Sequence, residues 1–372
     1  MPQSEYRVYA GTKALSDDQL NLIGDIRVDQ AIGMATEAEM TLPVATDDNG
    51  LWSGLEEDWV QPPRRLRIEV KVGDGDFVPL VDGPIVAQRV ELHATPGDSQ
   101  MVLVVQDDSV LLNREEKVDV FEDLADSEIA AQLIADRGLT PEVDDVPSSG
   151  SALQRVVVQR GTNMQLLREL ARRHGMFVYV KPGDAPGQSI GVFQRPKLTP
   201  GDLPEILLLG PDRNIGKFSA EFDALKPMTA QGGSVTLADV SPQTSRADSA
   251  SLDPLNGDAV HDVLTERAGT LLLRTREEVA DLDGATQAAV DESAWAYSAS
   301  VELDADSYGG VVMPYQVVRV VGVGGYLSGD YLVSRVTHLI TDASYKQQVA
   351  LRRNARSVGS DAAAPSVPAG VF

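Results

Sequence analysis

Strict alternation is the first regular feature along the chain. Leu66, Ile68, Val70 and Val72 alternate with Arg67, Glu69 and Lys71, the period of two expected of a strand with one buried face. Gly73-Asp74-Gly75-Asp76 supplies turn residues that tolerate positive φ, and Phe77-Val78-Pro79-Leu80 begins a return strand. Two more strand runs follow, Ile85 to Ala94 and Met101 to Gln106, parted by Thr95-Pro96-Gly97-Asp98. Residues 1–112 are therefore predicted to be β-rich. The stretch 45–64, with its Asp, Gly, Trp and paired Pro, reads as a long loop, either a contact loop or one without order.

The period changes after Phe121. Asp126-Ser127-Glu128 offers an N-cap and an acidic first turn, Ile129, Leu133 and Ile134 form a helical stripe, and Gly138 supplies the stop. A strand run from Leu153 to Gln159 follows. Thr162 and Gln165 then have the spacing of a capping box, opening a helix from Asn163 to His174. Its apolar face is Leu166, Leu167, Leu170 and Ala171. Arg168, Arg172 and Arg173 are expected to face solvent and complement the helix dipole at its last turn. Gly175 closes the helix and Met176 to Val180 returns as a strand. Residues 183–204, rich in Pro and Gly, read as a boundary. Strands resume at 205–209, 214–222 and 228–238. The Ser/Asp/Ala/Pro composition of 241–256 suggests a flexible connection, 258–296 carries helical patterns, and strand character dominates from there to Arg353. The tail 357–372 reads as flexible.

Two segments echo one another. Gly83 leads to Ala87-Gln88-Arg89-Val90-Glu91, and Gly329 leads to Val333-Ser334-Arg335-Val336-Thr337, with Arg-Val six and seven residues after each Gly. Leu103 and Val105 match Val349 and Leu351 at the same offset. The echo predicts two copies of one β-barrel-like domain. The first is residues 1–112; the second is 204–240 with 296–356. An α/β insertion at 113–203 and a helical or irregular insertion at 241–295 complete the chain.

Composition narrows the function. Lys and Arg total 32 against 56 Asp and Glu, a formal net charge of −24. That balance argues against nucleic-acid recognition, which draws on clustered cations, and against attraction to anionic lipid. No apolar run approaches the roughly 18 residues of a membrane span, so direct membrane insertion is not expected. The N-terminus lacks the pattern of a signal peptide, which together with the absence of Cys points to synthesis in the cytoplasm. His93, His174, His261 and His338 form no metal-ligand pair. Gly322-Val323-Gly324-Gly325 lies between strand patterns and reads as a hairpin turn. The acidic runs Asp47-Asp48, Glu56-Glu57-Asp58 and Asp144-Asp145 lack calcium-loop spacing. A carboxylate pair acting on glycans is conceivable among so many acids, yet Trp52, Trp59 and Trp295 are the chain's only tryptophans for a sugar platform. No catalytic, cofactor-binding or metal-binding residue stands out, and the expectation is a protein that is not an enzyme and carries no cofactor.

The run Val120 to Ile129, then Gly138-Leu139, Gln159 and Met164 to Tyr179 resembles the central domain of the phage late control protein D family. Ser328 to Val333, His338, Tyr345 and Leu351-Arg352-Arg353-Asn354 resemble that family's closing strands. Such proteins are central baseplate hubs of contractile phage tails and extracellular contractile injection systems, similar also to the N-terminal part of type VI secretion spike proteins. The resemblance implies a mainly β fold with α+β insertions. It further implies two tube-like β-barrel domains per chain, and a homotrimer whose six similar units form a pseudo-sixfold ring. It implies a symmetry adaptor between a hexameric inner tube and a trimeric spike, with baseplate wedge and other hub-proximal proteins as neighbours. The protein would be made in a bacterial cytoplasm and built into a tail or injection particle. The chain ends soon after Asn354, so the spike is expected to be a separate polypeptide. A glycan hydrolase, or a delivered effector or binding module, remains the alternative. Three copies at −24 give −72, and part of that excess is expected to line the central channel, with Glu69 and Glu91 as candidates because alternation points them away from the apolar stripes. Residues contacting tube and spike are not legible.

Overall fold

The computed structural model describes residues 4–46, 50, 52–146, 156–235, 240–264, 266–274 and 279–357. Asp47-Asp48, the first part of the 153–159 strand and tail residues 358–372 lie outside them. With 45% strand and 16% helix the chain is mainly β.

The first half contributes β1 (Ser4–Ala10), β2 (Lys13–Ala14), α1 (Asp17–Leu20), β3 (Asp25–Ala31), β4 (Glu37–Pro43), β5 (Arg65–Val72), β6 (Val78–Glu91) and β7 (Gln100–Gln106), followed by α2 (Ser109–Leu112). An inserted unit holds β8 (Lys117–Glu122), α3 (Asp126–Ala135), β9 (Thr140–Val143), β10 (Val156–Gly161), α4 (Asn163–Arg173), β11 (Phe177–Pro182) and β12 (Ser189–Gln194). Then come β13 (Ile206–Leu207), β14 (Phe218–Phe222), β15 (Thr229–Val235), β16 (Pro242–Ala247), β17 (Asp258–Ala259), α5 (Val260–Val263), β18 (Thr270–Arg274) and α6 (Val279–Ser293). The last stretch is β19 (Tyr297–Asp304), α7 (Ala305–Tyr308), β20 (Val317–Val321), β21 (Gly329–Thr341), β22 (Ser344–Arg353) and β23 (Ala355–Arg356).

Thirteen strands form one sheet, ordered β14-β19-β22-β21-β3-β4-β7-β6-β5-β1-β2, with β20 and β13 added beside β21. The expected pair of closed barrels is corrected here: among the described residues no sheet closes. The physical reason is β3 and β4, which pair outward to β21 on one side and β7 on the other and so join the halves edge to edge. Two cores lie under this sheet. One gathers Val8, Ile26, Met40, Ile68, Leu80 and Leu103; the other gathers Val301, Val318, Tyr331, Val336 and Leu351.

The segments 77–80 and 85–94 expected as two strands are one bent strand, β6. Its first part pairs with β5 and its second with β7. Gly83 sits at the bend, where a Cβ would land on the carbonyl oxygen of Gln106. β21 behaves alike, pairing first with β20 and then with β22 and β3. Each carries a bulge, at Ile85/Ala87 and at Val333/Arg335. The letter-by-letter echo is nevertheless offset: Leu103 faces Gln88, one place before Arg89, whereas Val349 faces Val336, one place after Arg335.

The first insertion builds its own core around Leu133, Ile134, Leu167, Leu170 and Phe193. Thr162 and Gln165 form the capping box as read. Two details differ. Ala125, not Asp126, is the N-cap of α3, its N–H donating to Glu128 at 2.7 Å. Asp126 is fully buried and holds Arg173 at 3.0 Å and His174 at 2.6 Å. Arg173 is therefore buried in an ion pair rather than turned to solvent.

Residues 229–235, placed with the second β-domain from their pattern, instead form a small sheet as β15 with β16 and β18, and α6 packs on it where Gly232 admits Leu282. Helical pattern at 264–274 gives way to strand β18. The hairpin turn at 322–325 is observed between β20 and β21.

Leu170 is fully buried in the insertion core. Leu170→Ala is expected to cost about 2–5 kcal/mol in urea unfolding; a loss under about 0.5 kcal/mol, typical of a surface substitution, would contradict this packing.

Candidate functional site: the polar face of the main sheet

Strand alternation that fills the two cores leaves the opposite side-chain set on one broad face. Ladder pairing runs across it without a break: Glu302, Gln348, Thr337, Asp29, Glu37 and Gln106 form one row from β19 to β7. The next row is Asp304, Lys346, Leu339, Arg27, Glu39 and Val104. Asp25 and Thr41 face Arg89 across Val102, and Glu91 faces Gln100. Arg335 stands two residues before Thr337 on the same side.

Seven acids (Asp25, Asp29, Glu37, Glu39, Glu91, Glu302, Asp304) thus share this face with five bases (Arg27, Arg89, Lys217, Arg335, Lys346). Four of the bases are engaged. Arg27 and Arg335 meet Asp29 at 2.7 and 3.3 Å, Arg89 meets Glu39 at 2.5 Å, and Lys346 meets Glu302 at 3.3 Å. Partial burial opposes ionisation of Asp29, but hydrogen bonds from Arg27 and Thr337 outweigh it and hold the carboxyl below its ordinary range. Of these five bases Lys217 alone makes no ion pair among the described residues, and the acids still outnumber the bases and leave the face modestly negative. Exposed ion pairs of this kind add little stability; their effect is a polar, charge-matched and only weakly adhesive surface.

Glu91 lies on this face, exposed, where the sequence placed it. Glu69 does not. Its alternation is as read, but the back of β5 is covered: Arg67 donates to Glu69 at 2.6 Å and to the carbonyls of Gly183 and Ala185 at 2.7 and 3.2 Å, while Asp82 accepts from Gly187 N–H at 2.8 Å. Arg7 also pairs with Glu69. This buried cluster staples the turn 183–187 of the insertion to the first half, and burial raises the Asp82 carboxyl above its ordinary range. The acids that the sequence reading missed, Asp25, Asp29, Glu37 and Glu39, carried a signal all the same, since 25–29 and 37–42 alternate polar with apolar as 66–72 does.

Directly under the face, His338 is fully buried between Tyr345 OH at Nδ1 (2.8 Å) and Gln30 Oε1 at Nε2 (3.0 Å). Gln30 in turn donates to the Leu80 carbonyl at 2.8 Å. The other histidines are dispersed: His93 is exposed after β6, His174 pairs with Asp126, and His261 is buried against the Met228 carbonyl at 3.2 Å. Among the described residues no group of three or more metal-ligating side chains converges. Trp59 and Trp295 are buried in cores, so neither forms a sugar platform.

This geometry is that of a charge-matched polar surface, and the chain has likenesses among known proteins. The family model for the Alg8 N-terminal domain matches residues 5–342. The chain belongs to the Alg8 N-terminal domain family. No curated protein matches this family member by sequence. Among solved structures, the 43 kDa tail protein of prophage MuSo2 from Shewanella oneidensis aligns over 95% of this chain and 99% of its own, at 15% identity and a TM-score of 0.65. A tail protein from Neisseria meningitidis aligns over 94% and 96%, at 11% identity and 0.61. A type VI secretion component from E. coli, itself described as similar to bacteriophage T4 tail proteins, aligns over 94% and 76%, at 8% identity and 0.55. This Alg8 N-terminal domain thus has the fold of phage-tail hub proteins, as the resemblance at 120–179 and 328–354 implied.

Burial holds the His338 pKa down to about 3, against an unfolded value near 6.5. The folded imidazole stays neutral while the unfolded one gains a proton below about pH 6.5, so stability is full above that pH and falls as pH drops toward 3. Between pH 7 and pH 5 this single group is expected to remove about 2 kcal/mol. Urea unfolding at both pH values checks it: His338→Gln should flatten the difference by that amount, and an unchanged slope would contradict the buried neutral histidine.

Proposed function

We propose that the protein is a structural hub of a contractile tail baseplate or related injection particle, acting through surfaces rather than through catalysis. The observation that carries this reading is the continuous polar face, backed by two cores and spanning strands from both halves of the chain. Three copies would set six such half-chain units around an axis, presenting near-sixfold symmetry to a hexameric inner tube and threefold symmetry to a separate spike. The sheet ends at β14 and at β2, and an open sheet leaves those edges available for pairing; a closed ring of copies would cover them. The polar face would then line the channel. All but one of its five cations are paired within the face and its surplus is acidic, so it would give passing tube contents little to adhere to. Wedge and other hub-proximal proteins would take the outer surfaces, where the insertions stand.

Mass in solution tests the arrangement. One chain is 39.9 kDa, and native mass spectrometry of the purified protein mixed with its spike and tube proteins is expected to show a species of about 120 kDa, alone or with the spike added. A chain that remains at monomer mass and binds neither protein would overturn the hub reading.

A further inference from the structure

A cleft of about 550 Å3 lies where both insertions meet the main sheet. Arg168 and Arg172 of α4 and Phe177 of β11 line it from the first insertion, Glu292 of α6 and Trp295 just after α6 from the second, and Arg352 of β22 from the sheet. Arg352 is held in place without its donors being met. Its guanidinium lies 4.4 Å over the ring of Trp295 and 5.7 Å over that of Phe177. Its one hydrogen bond among the described residues runs from Nη1 to Glu292 at 3.3 Å. The side chain is 15% exposed, and its buried Nε has no partner. The next residue shows the contrast: Arg353 donates from all three nitrogens, to Leu255, Ser328, Asn256 and Ser357. A guanidinium carries five donors and keeps its charge, so donors left unmet this far from water favour an anionic acceptor.

Arg168 and Arg172 are exposed and make no ion pair among the described residues. They stand one helical turn apart, a like-charge spacing that by itself destabilises a helix. The helix dipole accounts for Arg172 in the last turn of α4 but not for Arg168. The acids of the cleft do not answer them. Asp291 is buried and accepts from Ser251 N–H at 2.6 Å, Ser251 OH at 2.8 Å and Gln287 Nε2 at 3.0 Å, and Glu292 is the acid on Arg352. Phe177 is also a wall of a neighbouring groove of about 330 Å3, whose charged lining residues are Lys181 and Lys197, with no acid. Five bases against two acids line these adjoining hollows of a chain whose net charge is −24.

Two features set the class of that anion. Both α4 and α6 present their C-terminal turns to the cleft, the negative ends of their dipoles, so neither helix offers N-terminal N–H groups to cradle a phosphate. Guanidinium forks remain as the donors, and these match carboxylates. The spacing suits a chain that carries more than one. Arg168 and Arg172 are about 6 Å apart along the helix axis, and alternate side chains of an extended segment repeat at about 6.4–6.8 Å. Phe177, Leu252 and Pro196 supply apolar lining for the residues between. We propose that the cleft binds an extended acidic peptide segment of a partner protein, with carboxylates at alternate positions on Arg168 and Arg172 and a further carboxylate on Arg352. Bound there, the segment would fix both insertions against the sheet.

Fluorescence anisotropy of the full chain with a labelled Ser-Glu-Leu-Glu-Ser-Glu-Leu-Glu-Ser peptide tests this. Saturable binding is expected, lost when glutamines replace the glutamates and weakened as salt rises. Arg168→Gln/Arg172→Gln should weaken it about tenfold or more. Arg114→Gln/Arg213→Gln, the same change of charge elsewhere on the chain, should leave it unchanged. All four arginines are exposed, so folding is not at stake in either variant. Arg168→Glu/Arg172→Glu should exchange the preference for a lysine peptide of the same pattern. Three results would overturn the proposal: no saturable binding, equal loss in both glutamine variants, or displacement by inorganic phosphate beyond that by chloride at equal ionic strength. The cleft is complete within one chain, so its outcome is read apart from the mass of any assembly.

Discussion

The pairing of β3 with β21 is the constraint on which the rest of the structure depends. It brings Asp29 and Thr337, 308 positions apart in sequence, into a side-chain hydrogen bond, and it turns two separately built halves into one sheet. Closing so long a loop is paid in entropy before any contact rewards it. The reward is concentrated at the seam: seven ladder pairs from Arg335↔Ala31 to Thr341↔Asp25, the buried Gln30–His338–Tyr345 chain beneath, and the Arg27–Asp29–Arg335 cluster above. Without that seam each half would expose an edge, and the polar face would be two unrelated patches. With it, a single surface runs through both halves.

The insertions are fastened to this frame by charge as much as by packing. Arg67 enters a site that is almost closed to solvent, with a side-chain exposure of 2%, and is satisfied there by Glu69, Asp82 and two carbonyls of the 183–187 turn. Arg353 does the same at the far end: fully buried, it donates to the carbonyls of Leu255 and Ser328 at 3.0 and 3.1 Å, while Asn354 exchanges hydrogen bonds with Asp253 and Leu255. A buried guanidinium is costly unless its donors are met, so each site specifies one arrangement of loop on sheet. The Arg352-Arg353-Asn354 run that marks the family resemblance is thus a loop clamp.

How much of this was legible in sequence follows from what alternation can report. It gave the period of β5, β7 and β22, and the capping box of α4, because those signals are local. It could not say what lies against a strand's second face, which is why Glu69 read as solvent-facing although the insertion covers it. Residues 77–80 and 85–94 read as separate strand runs because local pattern does not show what a glycine between them can pass; in three dimensions Gly83 lets β6 pass the Gln106 carbonyl and continue. Arg173 read as a solvated dipole partner because its true partner, Asp126, is 47 residues away. The polar face was half visible. Its charges lie in short alternating runs, but their union into one surface rests on the β3–β21 seam, a pairing with no local signature.

Electron cryo-microscopy of the protein assembled with the proposed tube and spike proteins tests the central claim most directly, by showing which side of the sheet turns to the axis. The account predicts a threefold ring with Asp25, Glu39, Glu91 and Glu302 from every copy facing the channel. A ring with these residues on its outer surface, or an assembly in which the sheet face is buried against another protein, would contradict it.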